Sequence, residues 1–198
     1  MVFVDRRYAA ALRFHDTPRP ESRPFIRHLK PRHAVNRVLL VSGDRDVEVR
    51  RLAEEVGIKE VHSAKTPEDK VTIINGEVMA SPTLFLGDGI NDAPAMQAAT
   101  VGVAFGVQSE VTSEAADAVI LETSLARVDE LIHIAQRMRR IALQSAVGGM
   151  ALSIIGMFAA AFGFLPPIGG AIAQEIIDLA AVLNAVRVAV LPRYLSDF

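Results

Sequence analysis

Three observations assign this chain to an α/β layout, a parallel sheet with helices on its faces, followed by a transmembrane helical hairpin. Short β-rich runs alternate with helical stretches from Arg37 to Glu122. Carboxylates stand on glycine-rich turns directly after apolar runs, as in "LFLGDGIND". Charge then almost vanishes, since between residues 141 and 186 only Glu175 and Asp178 are charged. Alternation of strand and helix implies parallel pairing, and a charge-free run of more than about 18 residues implies a span.

Each element follows from its local pattern. "YAAALRF" reads as a strand or a short helix, and the Pro-rich "HDTPRPESRP" as a connector into a helix around Phe25–Leu29. "RVLLVSGD" is a buried strand ending in a Gly turn, and "RDVEVRRLAEEVG" an amphipathic helix stopped by Gly57. "KEVHSA" is a second strand, and "PEDKVTIINGEVMA" a helix opened by Pro67. "TLFLGDG", "NDAPAMQAA", "VGVAFG" and "DAVILE" continue as strand, helix, strand, strand. "LARVDELIHIAQRMRRIALQS" has helical spacing and leads without a break into the apolar run Ile141–Gly163. A second apolar run, Ile168–Val190, follows the breaker "LPPIGG". The expected units are therefore a soluble domain at 1–124, a connecting amphipathic helix at 125–140, a transmembrane helix pair at 141–190 and a cytoplasmic tail at 191–198.

Composition limits the function. With 21 basic and 23 acidic side chains in 198 residues, the chain carries no electrostatic footprint for nucleic acid. It has no Cys, hence no disulfide framework and no thiolate metal site. The amino terminus lacks the charged and apolar regions of a signal peptide, so targeting to the lipid bilayer is expected from the later apolar runs. Arg137, Arg139 and Arg140 before the first span, and Arg187 and Arg193 after the second, place both ends in the cytoplasm.

In parallel sheets, ligands gather at the carboxyl ends of the strands. Gly87 and Gly89 permit tight turns and a ligand's close approach there, which aims Asp88 at a site. Ser42, Gly43 and Asp44 of "VSGD" occupy the equivalent place one strand earlier. Paired carboxylates suit Mg²⁺, a hard cation with oxygen ligands, so Asp88 and Asp92 are the candidate metal residues. Asn91 can donate its amide to a phosphate oxygen. Lys70 supplies the cation that phosphoryl transfer needs against developing equatorial charge, and Ser42 offers a hydroxyl to the same group.

"VSGD", "TPEDK" and "GDGINDAPAMQAATVGVAFG" together resemble, in order and spacing, the second half of the phosphorylation domain of P-type ATPases, whose core is Rossmann-like and haloacid-dehalogenase-like. "DTPRPES", "RRIALQS" and "VLNAVR" resemble the heavy-metal-transporting branch. The resemblance implies an ATP-driven cation pump passing through an aspartyl-phosphate, in the plasma (inner) membrane, with the phosphorylation domain cytoplasmic. Asp88 would bind Mg²⁺ and Asp92 support it, Lys70 and Ser42 would hold the phosphoryl group, and Asn91 would contact it.

The chain departs from that family in having no "DKTGT" nucleophile segment, His-Pro nucleotide-binding motif, "TGE" actuator motif or Cys-Pro element. It is expected to act with the remaining domains of a pump, which would bind most of the ATP, and to hydrolyse no ATP alone. A membrane-anchored phosphatase using Asp5, and a non-catalytic magnesium- or phosphate-binding regulator of a pump, are the competing readings. Ionisable residues inside a span are costly and usually functional. Gln174, Glu175 and Asp178 are therefore the transported-ion candidates. In the family this chain resembles, copper selection relies on Met and Ser in the last span, and residues 171–190 contain neither, so the resemblance implies a divalent, zinc-like heavy-metal ion.

Overall fold

The computed structural model describes residues 2–4, 7–10, 17–88, 90–106, 114–190 and 196. They divide into two units at Leu125 and Ala126.

The first unit opens with an antiparallel hairpin, β1 (Val2–Val4) against β2 (Arg7–Ala10); the strand takes in Tyr8–Ala10 of "YAAALRF", and the rest of that segment lies outside the described residues. Helix α1 (Ser22–His33) buries Phe25 and Leu29 one turn apart and ends at Ala34, which is left-handed at φ 55°. Strand β3 (Leu39–Val41) pairs in parallel with β4 (Glu60–His62) across helix α2 (Asp46–Val56). In α2, Val49, Ala53 and Val56 form the buried stripe, Asp46 and Glu48 complement the amino-terminal dipole, and Gly57 closes the helix at φ 87°.

Helix α3 (Pro67–Ala80) is set by a capping box: Thr66 Oγ1 accepts from Asp69 N at 3.2 Å and Asp69 Oδ2 from Thr66 N at 3.1 Å. Strands β5 (Leu84–Gly87), β6 (Val101–Phe105) and β7 (Ala118–Ile120) form a parallel sheet in that order. Between β5 and β6 come a 3₁₀ turn, Ile90–Asp92, and helix α4 (Ala93–Ala98). A Cβ at Gly102 would lie 2.7 Å from the Met96 carbonyl oxygen, so α4 rests directly on the β6 backbone. Met96, Val103 and Ala104 are fully enclosed there.

The parallel strands do not make one continuous sheet: β3–β4 and β5–β6–β7 are separate among the described residues. A parallel sheet continues only where a neighbouring strand supplies its hydrogen bonds, and no described strand pairs with the second edge of β3 or of β5.

The second unit is an apolar helical pair. The connecting stretch and the first apolar run form one helix, α5 (Leu125–Ala161). Among the described residues it is the one helix long and apolar enough to cross a membrane, and its apolar window is almost entirely unburied. A soluble core helix of that composition would be enclosed. After Gly163, left-handed at φ 79°, and a Pro166–Pro167 start, α6 (Pro167–Val186) follows. Leu152, Ile155, Phe158, Ile172, Ile176 and Leu179 are exposed along the two.

Candidate functional site

The turn after β5 is fixed by packing. Gly87 is buried, and a Cβ there would lie 2.9 Å from Asp92 Cβ, Met96 Cε and Phe85 Cε1, so the backbone passes where a side chain has no room. Pro94 starts α4 with its missing N–H at no cost. Asp92 stands at the amino-terminal cap of α4 but makes no capping bond with its side chain, because its carboxylate is engaged elsewhere. Lys70 Nζ donates to Asp92 Oδ1 at 2.6 Å, with only 13% and 14% of the two side chains exposed. Lys70 follows the capping box directly, so the lock on the first turn of α3 also fixes where its stem leaves the helix. Asp88 and Asn91 are exposed on the same turn.

A second cluster forms after β3. Ser42 Oγ donates to Asp44 Oδ2 at 2.8 Å and accepts from Asp44 N at 3.2 Å. The loop is knitted to the one after β4: Ser42 N donates to His62 O at 2.9 Å, Lys65 N to Ser42 O at 3.0 Å and Ala64 N to Asp44 O at 2.9 Å. A Cβ at Gly43 would meet the Lys65 carbonyl at 3.3 Å. The structure thus couples Lys70 with Asp92 and Ser42 with Asp44. Gly89 and Asp5 lie outside the described residues, as does Arg193.

Sequence reasoning missed Ala64. It holds this loop at φ 51°, a left-handed backbone that costs a non-glycine residue about 1–2 kcal/mol, and an alanine carries no signal of it.

In the helical pair, Ser153 Oγ of α5 donates to Gln174 Oε1 at 3.0 Å, and Gln174 Nε2 donates to Asp178 Oδ1 at 3.0 Å. Glu175 is exposed beside them. Asn184 Nδ2 donates to Ser145 Oγ at 2.9 Å, and Arg137 Nη2 to the Arg187 carbonyl at 2.9 Å. Two polar links therefore tie α5 to α6 in antiparallel register, and a third reaches Arg187 just after α6. Ser153 was also missed, although a hydroxyl in a charge-free run is a legible cue.

A family model described as a haloacid dehalogenase-like hydrolase matches residues 1–100. The chain belongs to this family. Within it, this haloacid dehalogenase-like chain matches the corresponding region of heavy-metal P-type ATPases. It is 32% identical over 190 residues to the probable cation-transporting ATPase G of Mycobacterium tuberculosis, covering 94% of this chain and 24% of that protein. It is 32% identical over 192 residues to the cadmium, zinc and cobalt-transporting ATPase of Bacillus subtilis, covering 94% and 27%. The solved structure of a zinc-transporting PIB-type ATPase superposes with a TM-score of 0.75 at 28% identity, covering 88% of this chain and 28% of that one. The chain spans about a quarter of the length of the curated relatives it matches.

Proposed function

We propose that this haloacid dehalogenase-like chain supplies the magnesium- and phosphate-binding half of the phosphorylation site of an ATP-driven heavy-metal pump, together with two membrane spans. The observation that carries this reading is the half-buried Lys70–Asp92 pair at 2.6 Å beside the Asp88 turn. A lysine held there can leave its carboxylate for an incoming phosphoryl group without crossing bulk water, where its charge is worth more than in solvent.

The residues fit magnesium. Asp88 and Asp92 offer only oxygen donors, on a turn that packs the Gly87 backbone against Asp92 Cβ. Bound magnesium would neutralise phosphate charge. Asp88 would hold it, Asp92 would exchange its lysine for it, and Lys70 would turn to the phosphoryl oxygens. Ser42 would rotate from Asp44 to donate to the same group, and Asn91 would add an amide donor. Glycines 43, 87 and 89 would let the backbone approach. The covalent acceptor, an aspartate, would come from the rest of the pump. Its strand would pair with the second edge of β3 or β5, where no described strand does. The chain alone then turns over no ATP.

In the membrane, α6 would be the second span, with the first unit cytoplasmic beside Arg137, Arg139 and Arg140, as in a plasma (inner) membrane. The cargo would be a divalent heavy-metal ion of the zinc class, taken by oxygen atoms of Asp178, Glu175 and Gln174. Hydrogen bonding through Ser153 holds Gln174 against Asp178 and so sets the carboxylate's outward face.

The test is magnesium-dependent binding of inorganic phosphate to the chain, followed by phosphorus NMR. Binding is expected in the wild type and is expected to weaken at least about tenfold in Lys70→Met and Asp88→Asn, the loss of one charge-assisted contact. Equal binding in all three proteins overturns the proposal.

A further inference from the structure

His28 and His33 lie five residues apart on α1, a spacing that does not stack side chains on a regular helix. Pro31 stands between them and lacks the N–H of the helical ladder. The two rings nevertheless meet edge to face, with centroids 5.0 Å apart and planes at 89°. His33 Nε2 lies 3.1 Å from His28 Nε2.

The other nitrogen of His28 is also fixed, since its Nδ1 lies 2.6 Å from the Phe25 carbonyl oxygen. A carbonyl only accepts, so Nδ1 carries the hydrogen, and in the neutral ring Nε2 presents its lone pair to the His33 Nε2–H. An imidazole tied through one nitrogen to a backbone carbonyl, with the other nitrogen aimed outward, is how metal-ligating histidines are held. Two imidazole nitrogens on a tetrahedral zinc at about 2.0–2.1 Å stand roughly 3.3–3.4 Å apart. The 3.1 Å observed here needs only a small ring rotation to reach that bite. Both side chains are half-buried and so within reach of an ion from solvent.

We propose that His28 and His33 form a binding site for a divalent ion of the class imidazole prefers, zinc above all, with cobalt, nickel and copper(II) as substitutes. On binding, the His33 proton moves from Nε2 to Nδ1, and no net proton leaves the neutral pair. The ion staples the last turn of α1 across Pro31. That turn ends at the left-handed Ala34, whose N–H caps onto the Leu29 carbonyl, and the chain then enters β3, which carries Ser42 at its carboxyl end. A soluble metal ion would thereby rigidify the lead-in to the phosphate cluster. This site is independent of the transport reading, because it uses neither the Asp88 turn nor α6.

The experiment uses the full chain in detergent micelles, with zinc titrated against a chromophoric chelator and the histidine ring nitrogens followed by ¹⁵N NMR. Zinc is expected to shift the Nε2 resonances of two histidines in the wild type. His28→Gln and His33→Gln are each expected to weaken zinc binding at least about tenfold, whereas His62→Gln leaves it unchanged. Zinc affinity within about twofold of wild type in both variants overturns the proposal, and so does wild-type saturation without any histidine shift. The wild-type spectrum alone decides the matter should the variants not fold.

Discussion

At Gly87 and Lys70 the chemistry of the site and the packing of the fold are the same fact. A methyl group at Gly87 meets Asp92 Cβ, Met96 Cε and Phe85 Cε1, each at 2.9 Å. Met96 can swing its terminal methyl aside, but Asp92 Cβ cannot move without its backbone. Gly87→Ala is therefore expected to destabilise the first unit by about 1–3 kcal/mol, the usual cost of overpacking. It should also displace Asp92 from Lys70. Urea denaturation gives the first effect. The second reads out as weaker magnesium-dependent phosphate binding in a protein that is still folded, and a variant with wild-type stability and binding would contradict the packing account.

Among the elements, α3 and the β3–β4 pair carry the most local information. Thr66→Ala removes one half of the capping box and is expected to cost about 1 kcal/mol, read as a lower urea midpoint with unchanged slope. At β4, Glu60 is bound by Arg37, with Arg37 Nε donating to Glu60 Oε1 at 3.1 Å and Nη1 to Glu77 Oε2 at 2.9 Å. The Arg37 hydrogen bond holds the Glu60 carboxyl below its ordinary range; desolvation opposes it, and the weaker pulls of the Arg37 and His62 charges add to the lowering. A carboxylate lowered in the folded state stabilises the protein above its unfolded pKa, and that stability is lost as pH falls through the lowered value. Glu60→Gln is thus expected to flatten the acid side of the stability profile while leaving its shape near neutrality unchanged, as measured by urea midpoints across pH. Thr66-Pro67 with Asp69 announces the start of α3, and Gly57 the end of α2, because caps and αL stops are local in sequence. Gly-Asp-Gly after an apolar run likewise marks the turn. The Lys70–Asp92 contact, 22 residues apart, and the split between β3–β4 and β5–β6–β7 depend on tertiary pairing that no local pattern encodes.

For the molecule as a whole, the two units present opposite surfaces, the first with buried apolar stripes and the second with apolar side chains facing outward. On the proposed reading, folding in water and folding in lipid would fall to different stretches of one chain. Proteoliposomes carrying the chain are expected to show protease cleavage of the first unit from the side that also exposes Arg137, Arg139 and Arg140, with the Phe162–Pro166 turn reachable only from the other side. Cleavage of both from one side would contradict the spanning pair. In lipid, where apolar side chains cannot choose between partners, the polar links would fix the register of such a pair. Ser153, Gln174 and Asp178 form one of these links, and Ser145 with Asn184 another.

Helix α5 runs unbroken for 37 residues from Leu125, whose amide donates to Glu21 Oε1 at 2.6 Å, to Ala161. At about 1.5 Å per residue it is a rod of roughly 56 Å, and it contains no proline to act as a joint. A twist applied along such a rod would pass toward Ser145 and Ser153, as torque passes along a crankshaft. The weakest helix formers on that shaft, Gly148–Gly149, stand between the two serines, so any compliance would fall between the two gripped hydroxyls.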